Sequence, residues 1–338
     1  MARPGVWADT FLVVLLSGIL VFSSCSDPVS PLPTGNEVAA SQKKISVPAF
    51  QADSAYRFIA EQVGFGPRVP NSVAHDRCAD YLIAKFRAFG LSLQIQDAVV
   101  SDYAARKDKI RNIMASFNPE AKTRILLCSH WDSRSTADQD SVRKNEPIDG
   151  ADDGASGVGV LLEIARILHH QKVDVGVDLL LVDAEDTGQP NDIAPQDQKE
   201  NTWCLGTQYW TKHLPPGYTA RYGILLDMVG AKNAMFAMEG HSMQFADDIV
   251  KKVWGIAADL GYSNYFLYAK GGTITDDHFY INQDAHIPTI DILNYDPVKL
   301  EFGYYHHRHS DNMSIIDTKT LQAVGQTLLQ TIYSEIPY

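Results

Sequence analysis

Apolar residues recur along this chain with two different periods, and the changes between them predict its elements. Residues 54–64 (SAYRFIAEQVG) and 72–90 (SVAHDRCADYLIAKFRAFG) have helical spacing. In the second, Tyr81, Leu82, Phe86 and Phe89 fall on one face, and Gly90 stands where such a helix would stop. Three strand patterns follow: LSLQIQDAVV (91–100), IRNIMASF (110–117) and RILLCS (124–129). GVGVLLEIARILHH (157–170) predicts a helix and GVDLLLVD (176–183) a strand. Two further strands, YGILLDMVG (222–230) and IPTIDIL (287–293), flank one helix, SMQFADDIVKKVWGIAADLG (242–261), and TKTLQAVGQTLLQTIY (318–333) is a last helix.

Strands alternating with helices of ten or more residues indicate an α/β fold, here a twisted, mixed but mostly parallel sheet with helices on both faces. The consecutive strands 91–100 and 110–117 suit an antiparallel edge. No repeat and no second boundary interrupts the pattern, so one domain is expected over 51–338.

Two N-terminal segments stand outside this pattern. FLVVLLSGILVF (11–22) is an apolar run of twelve, too short to span a membrane and right for a signal-peptide core. Small residues precede Cys25 and a Pro/Ser-rich stretch follows, an arrangement that resembles a bacterial lipoprotein signal. The expectation is a signal peptide at 1–24, a lipidated Cys25 and a flexible tether over 25–50. The protein would be exported to the periplasm and held to a membrane only through that lipid. A plain secretory signal with an incidental cysteine is the rival reading.

Composition adds exclusions. With 45% apolar and 21% charged residues the chain is an ordinary globular one, and a net charge of −12 without a basic stripe argues against nucleic acid. Besides Cys25 there are Cys78, Cys128 and Cys204, an odd number without metal-type spacing. Cys128 sits inside a strand and reads as a small buried apolar residue; a Cys78–Cys204 disulfide is compatible with export.

Acids and histidines collect at the predicted strand ends. RILLCS runs into His130-Trp131-Asp132, DLLLV into Asp183-Ala184-Glu185-Asp186, and GILL into Asp227. Asp152 and Asp153 precede a helix, and YYHHRHSDN supplies His306, His307, His309 and Asp311. Singly each has a plain explanation: Asp153 could be a helix cap, the histidines a surface loop. Together they would pile unpaired negative charge where α/β sheets bind ligands, with only Arg134 and Arg308 near in sequence. A divalent cation resolves this, and oxygen and imidazole donors without clustered cysteines suit zinc. GASGVG (154–159) looks like a dinucleotide loop but fails on context, since IDGADD is no strand and its acids would repel a pyrophosphate.

The motifs SHWDS, DGADDGASGVGVLLEIAR, LVDAEDTG, LLDMVGAKN, TDDHFYI and YHHRHSDN, in this order over residues 54–336, resemble the zinc aminopeptidase superfamily, and within it the animal-type glutaminyl-peptide cyclotransferase branch. The resemblance implies one zinc per chain held by Asp153, Asp186 and His307. It implies Glu185 as general base and acid, with Asp227 and Asp276 orienting the substrate's amino group. Substrates would be peptides or proteins with N-terminal glutamine, cyclised to pyroglutamate with loss of ammonia. Trp203 and Tyr305 are candidate substrate-pocket walls. The chain departs from that pattern at Asp186 (usually Glu), His306 (usually aromatic), Thr275 (often Gln) and the insertion 189–201. A dinuclear zinc aminopeptidase, with Asp153 bridging and His130 and Asp227 completing a second metal site, needs only residues also present. A metal-stabilised lipoprotein that merely binds a partner would leave Glu185 and Asp276 without a task.

Overall fold

A computed structural model describes residues 46–190 and 193–337, so the expected signal peptide, Cys25 and most of the tether lie outside the described residues. In chain order the elements are α1 (Ala52–Val63), α2 (Val73–Ala88), β1 (Ser92–Ser101), β2 (Lys107–Phe117), β3 (Arg124–His130), α3 (Ala155–His170) and β4 (Gly176–Val182). There follow α4 (Leu205–Lys212), β5 (Gly223–Asp227), β6 (Phe236–Met238), α5 (Gly240–Phe245), α6 (Asp247–Asp259), β7 (Phe266–Lys270), α7 (Asp277–Asp284) and β8 (Thr289–Leu293). Two short strands, β9 (Tyr295–Asp296) and β10 (Glu301–Phe302), precede α8 (Thr318–Tyr333).

The sheet has six strands in the order β1-β2-β4-β3-β5-β8. β1 and β2 pair antiparallel, β2 meets β4 antiparallel, and β4, β3, β5 and β8 run parallel. The mixed, mostly parallel sheet expected from the sequence is therefore present. Alternate side chains serve opposite faces. Ile113, Leu127 and Leu179 join the core beneath α1, α2, α3, α6 and α8, whereas Leu126, Cys128, Leu180 and Leu225 pack with Trp210 of α4 and Ile281 of α7. β4 is buried along its whole length, as an apolar run covered on both faces must be. Its one acid, Asp178, is neutralised by Arg124 Nε at 2.8 Å and bound by Tyr218 Oη at 3.0 Å.

The glycines of GASGVG serve packing. A Cβ on Gly157 would lie 2.5 Å from the Leu226 carbonyl oxygen, and one on Gly159 2.5 Å from Ile59 Cγ1, so they seat α3 against the sheet and α1. The structure also differs from the sequence reading in places. Pro48 and Phe50, assigned to the tether, are buried; Phe50 N–H donates to Gln326 Oε1 at 2.9 Å and its ring covers Gly325. The helix expected over 242–261 is two, because Ala246 (φ −149°, ψ 46°) breaks it while the apolar spacing continues past the break. Cys78 and Cys204 are free and buried rather than paired. No helix among the described residues is long and apolar enough to cross a membrane.

Candidate active site

The parallel strands β3, β4 and β5 end side by side, and each hands its next residues to one place, as open α/β sheets do. Two buried carboxylates shape the loops that carry the acids. Asp132, just past β3, accepts the Glu185 and Asp186 N–H groups at 3.1 and 3.2 Å. Asp311 likewise accepts those of Asp152 and Asp153, at 2.8 and 3.2 Å. Ala184 adopts φ 50°, and the N–H groups of Cys204, Leu205 and Gly206 donate to the carbonyls of Glu185, Ala184 and Asp183 at 3.0, 3.1 and 3.0 Å. That approach requires glycine at 206, since a Cβ would lie 2.1 Å from the Asp183 carbonyl oxygen. Asp183 itself turns away from the site: His75 Nε2 lies 2.9 Å from it and Arg111 N–H donates at 2.6 Å.

Asp153, Asp186 and His307 meet. His307 Nε2 is 3.2 Å from Asp186 Oδ1 and 3.8 Å from Asp153 Oδ2. The other Asp153 oxygen, Oδ1, faces His130 Nε2 at 3.1 Å, and the same nitrogen is 3.3 Å from Asp227 Oδ1. Asp153 thus links two adjoining groups of donors. His306 joins the first, its ring within ligand-sharing reach of Asp153 and His307.

The electrostatics suit a group that binds a cation. Burial, with like-charged neighbours, pushes the Glu185, Asp186, Asp227 and Asp276 carboxyls above their ordinary range. Burial would lower the His130 pKa, but hydrogen bonds to Asp132, Asp153 and Asp227 outweigh it and push it well up. His307 is lowered to about 3 by burial and by Arg134, which keeps its imidazole in the neutral form a metal ligand needs. Asp186 Oδ2 is buried without a hydrogen-bond partner. An orphaned carboxylate oxygen beside a neutral imidazole and a second carboxylate is a donor set that fits zinc.

A cavity of about 270 Å³ opens over this group, walled by Glu185, Asp227, Trp203, Phe302, His306 and the 273–276 loop. The Trp203 indole stacks on His307 at 5.6 Å and 12° and lies under the Arg134 guanidinium at 4.6 Å. Gly188 makes room for it, since a Cβ there would fall within 1.9 Å of the indole. Tyr305, expected as a second wall, is not on the cavity. It is 2% exposed, and its hydroxyl donates to Asp152 while accepting from Asn294 Nδ2 at 2.7 Å. Phe302 and His306 take the wall position instead. Asp276 caps α7, accepting Asp277 N–H at 2.5 Å. The sequence reading missed Cys204, whose thiol donates to Glu185 Oε1 at 3.3 Å and lies 4.0 Å from Asp276 Oδ1. No spacing signal could have found it, because the contact depends on the left-handed turn at Cys204 itself (φ 57°).

Residues 112–332 match the profile of Peptidase family M28. The chain belongs to that family. Among solved structures, glutaminyl cyclase of Bacteroides thetaiotaomicron, bound to N-acetylhistamine, is 49% identical to this M28 protein with a TM-score of 0.84, covering 86% of this chain and 100% of that one. A Zn-dependent exopeptidase of Parabacteroides distasonis is 50% identical with a TM-score of 0.83, over the same shares. Glutaminyl-peptide cyclotransferase of Gloydius blomhoffii is 24% identical over 64% of this chain and 63% of its own length. The M28 chain thus spans less than two thirds of the length of that curated relative.

Proposed function

We propose that this M28 protein is a zinc-dependent glutaminyl-peptide cyclotransferase, closing N-terminal glutamine to pyroglutamate with release of ammonia. The observation that carries the reading is the cavity in which Glu185, Asp227 and Asp276 face the Asp153–Asp186–His307 group, in a chain 49% identical to a glutaminyl cyclase over the whole of that protein's solved chain. Asp153, Asp186 and His307 would hold one zinc, which when bound supplies Lewis acidity toward the substrate's γ-carbonyl.

The chain's own residues do the rest. Asp227 and Asp276 accept hydrogen bonds from the α-amino group and turn its lone pair toward the γ-carbon. Glu185 receives the proton the amine loses as the new C–N bond closes the five-membered lactam. It then returns that proton to the departing amide nitrogen, which leaves as ammonia when its C–N bond breaks. No water enters the balance. Holding amine and carbonyl of one residue in a small cavity lowers the entropic cost of ring closure. The proposal extends to place: the run 11–22 and Cys25 support export and a lipid anchor, so the substrates would be exported peptides.

One observation favours a second reading. His130, Asp153 and Asp227 bring ligand atoms within 4.8 Å of one another, a geometry that would suit the second metal of a dinuclear exopeptidase. Mass analysis of products from Gln-Ala and Leu-Ala separates the two. Loss of ammonia from Gln-Ala with Leu-Ala intact supports cyclisation; release of free leucine from Leu-Ala overturns it.

A further inference from the structure

Next to the catalytic cavity lies a second one, of about 360 Å³, on the outer side of the same wall. Phe302 and His306 line both, their rings stacked at 4.3 Å and 30°. The inner cavity carries five acids, Asp153, Glu185, Asp186, Asp227 and Asp276, and no lysine or arginine in its lining. The outer one holds Arg308, half-buried, whose guanidinium has no ion pair or side-chain hydrogen bond among the described residues. Its backbone is held in the turn, because Arg308 N–H donates to the Tyr305 carbonyl and its own carbonyl accepts Asp311 N–H, both at 2.9 Å. Tyr304 and Leu300, 73% and 62% exposed, leave the outer cavity open to solvent.

We infer that this outer cavity is the subsite for the part of the peptide that follows the glutamine, and that Arg308 selects a carboxylate there. The inference rests on the cyclase reading. With the glutamine and its amino group held among the acids, a chain passing Phe302 and His306, which line both cavities, enters the outer one. An extended peptide advances roughly 3.3–3.6 Å per residue, so one or two residues clear a wall of stacked rings. A substrate whose amino group donates hydrogen bonds to the acids inside and whose chain carries a negative group just outside matches what the two cavities present. Glu301 also lines the outer cavity, but it is exposed and more strongly screened than the half-buried guanidinium.

The test uses the zinc-loaded enzyme and C-terminally amidated tripeptides: Gln-Glu-Ala and Gln-Ala-Glu against their glutamine isosteres Gln-Gln-Ala and Gln-Ala-Gln. The expected result is a kcat/KM about three- to tenfold higher for one glutamate peptide than for its isostere, carried by KM and shrinking as salt is raised. In Arg308→Met that ratio falls to about one, whatever happens to the absolute rate, and Arg308→Lys restores part of it. Equal kcat/KM within both pairs, or a preference that survives Arg308→Met, overturns the subsite alone. Absence of any cyclised product from all four peptides overturns the cyclase reading beneath it.

Discussion

Glu185 and Asp186 are neighbours in the chain with different surroundings. Asp186 points at His307 and carries an orphaned oxygen, whereas Glu185 reaches Cys204 and lies among Asp276 and Asp277. The turn that separates them is held by Asp132 from below and by the 204–206 backbone from above. Removing the titratable group at 185 without changing its shape should therefore leave the metal group intact. We expect Glu185→Gln to bind zinc as the parent does while kcat falls about 10²- to 10⁴-fold, the usual worth of a proton-transferring side chain. Single-turnover rates alongside zinc content check this; parental turnover in the variant would remove Glu185 from the mechanism.

At the scale of elements, one carboxylate ties three of them together behind the cavity. Glu239 caps α5 through the His241 and Ser242 N–H groups at 2.8 and 2.6 Å, accepts Ile274 N–H from the wall loop at 2.9 Å, and meets His278 Nε2 of α7 at 2.9 Å. Burial would raise its pKa, but the hydrogen bond and charge of His278 and those backbone donors hold it down at about 2, from an ordinary 4.5. A depressed carboxylate stabilises the fold above the unfolded-state value and ceases to do so as pH falls through the folded-state value. The contribution should be complete above about pH 4.5 and drain away toward pH 2, and it is on the order of 3 kcal/mol at neutral pH. Urea unfolding of the parent and Glu239→Gln should differ most at pH 7 and converge in acid. A gap that stays constant down to pH 3 would contradict this role.

Across the whole molecule, legibility in the sequence follows from where the signal lies. The parallel strands are mostly apolar runs, broken inside by an acid only at Asp178 of β4 and Asp291 of β8, so their ends, and the acids beyond them, stand out in the order of residues alone. The antiparallel edge shows itself through two consecutive strands with no helix between. Elements stabilised mainly by tertiary contacts do not show. α4 and α7 are eight residues each and mostly polar, with Trp210 and Ile281 as the apolar groups that reach the core, and such short segments leave no period to detect. Tyr305 is a candidate pocket wall only through the family resemblance. The turn instead buries it on Asp152 and puts His306 outward. Asp132 and Asp311 act through remote backbone N–H groups, which sequence spacing cannot pair.

The central claim at this scale is that strands and loops remote in sequence gather one cation between Asp153, Asp186 and His307 and leave His130 and Asp227 to hydrogen bonding. Zinc per folded chain at saturation, by elemental mass spectrometry after removal of loosely held metal, addresses it most directly. One zinc, lost in His307→Ala and kept in His130→Ala, is the expected result. Two per chain, or one that survives His307→Ala, would contradict it.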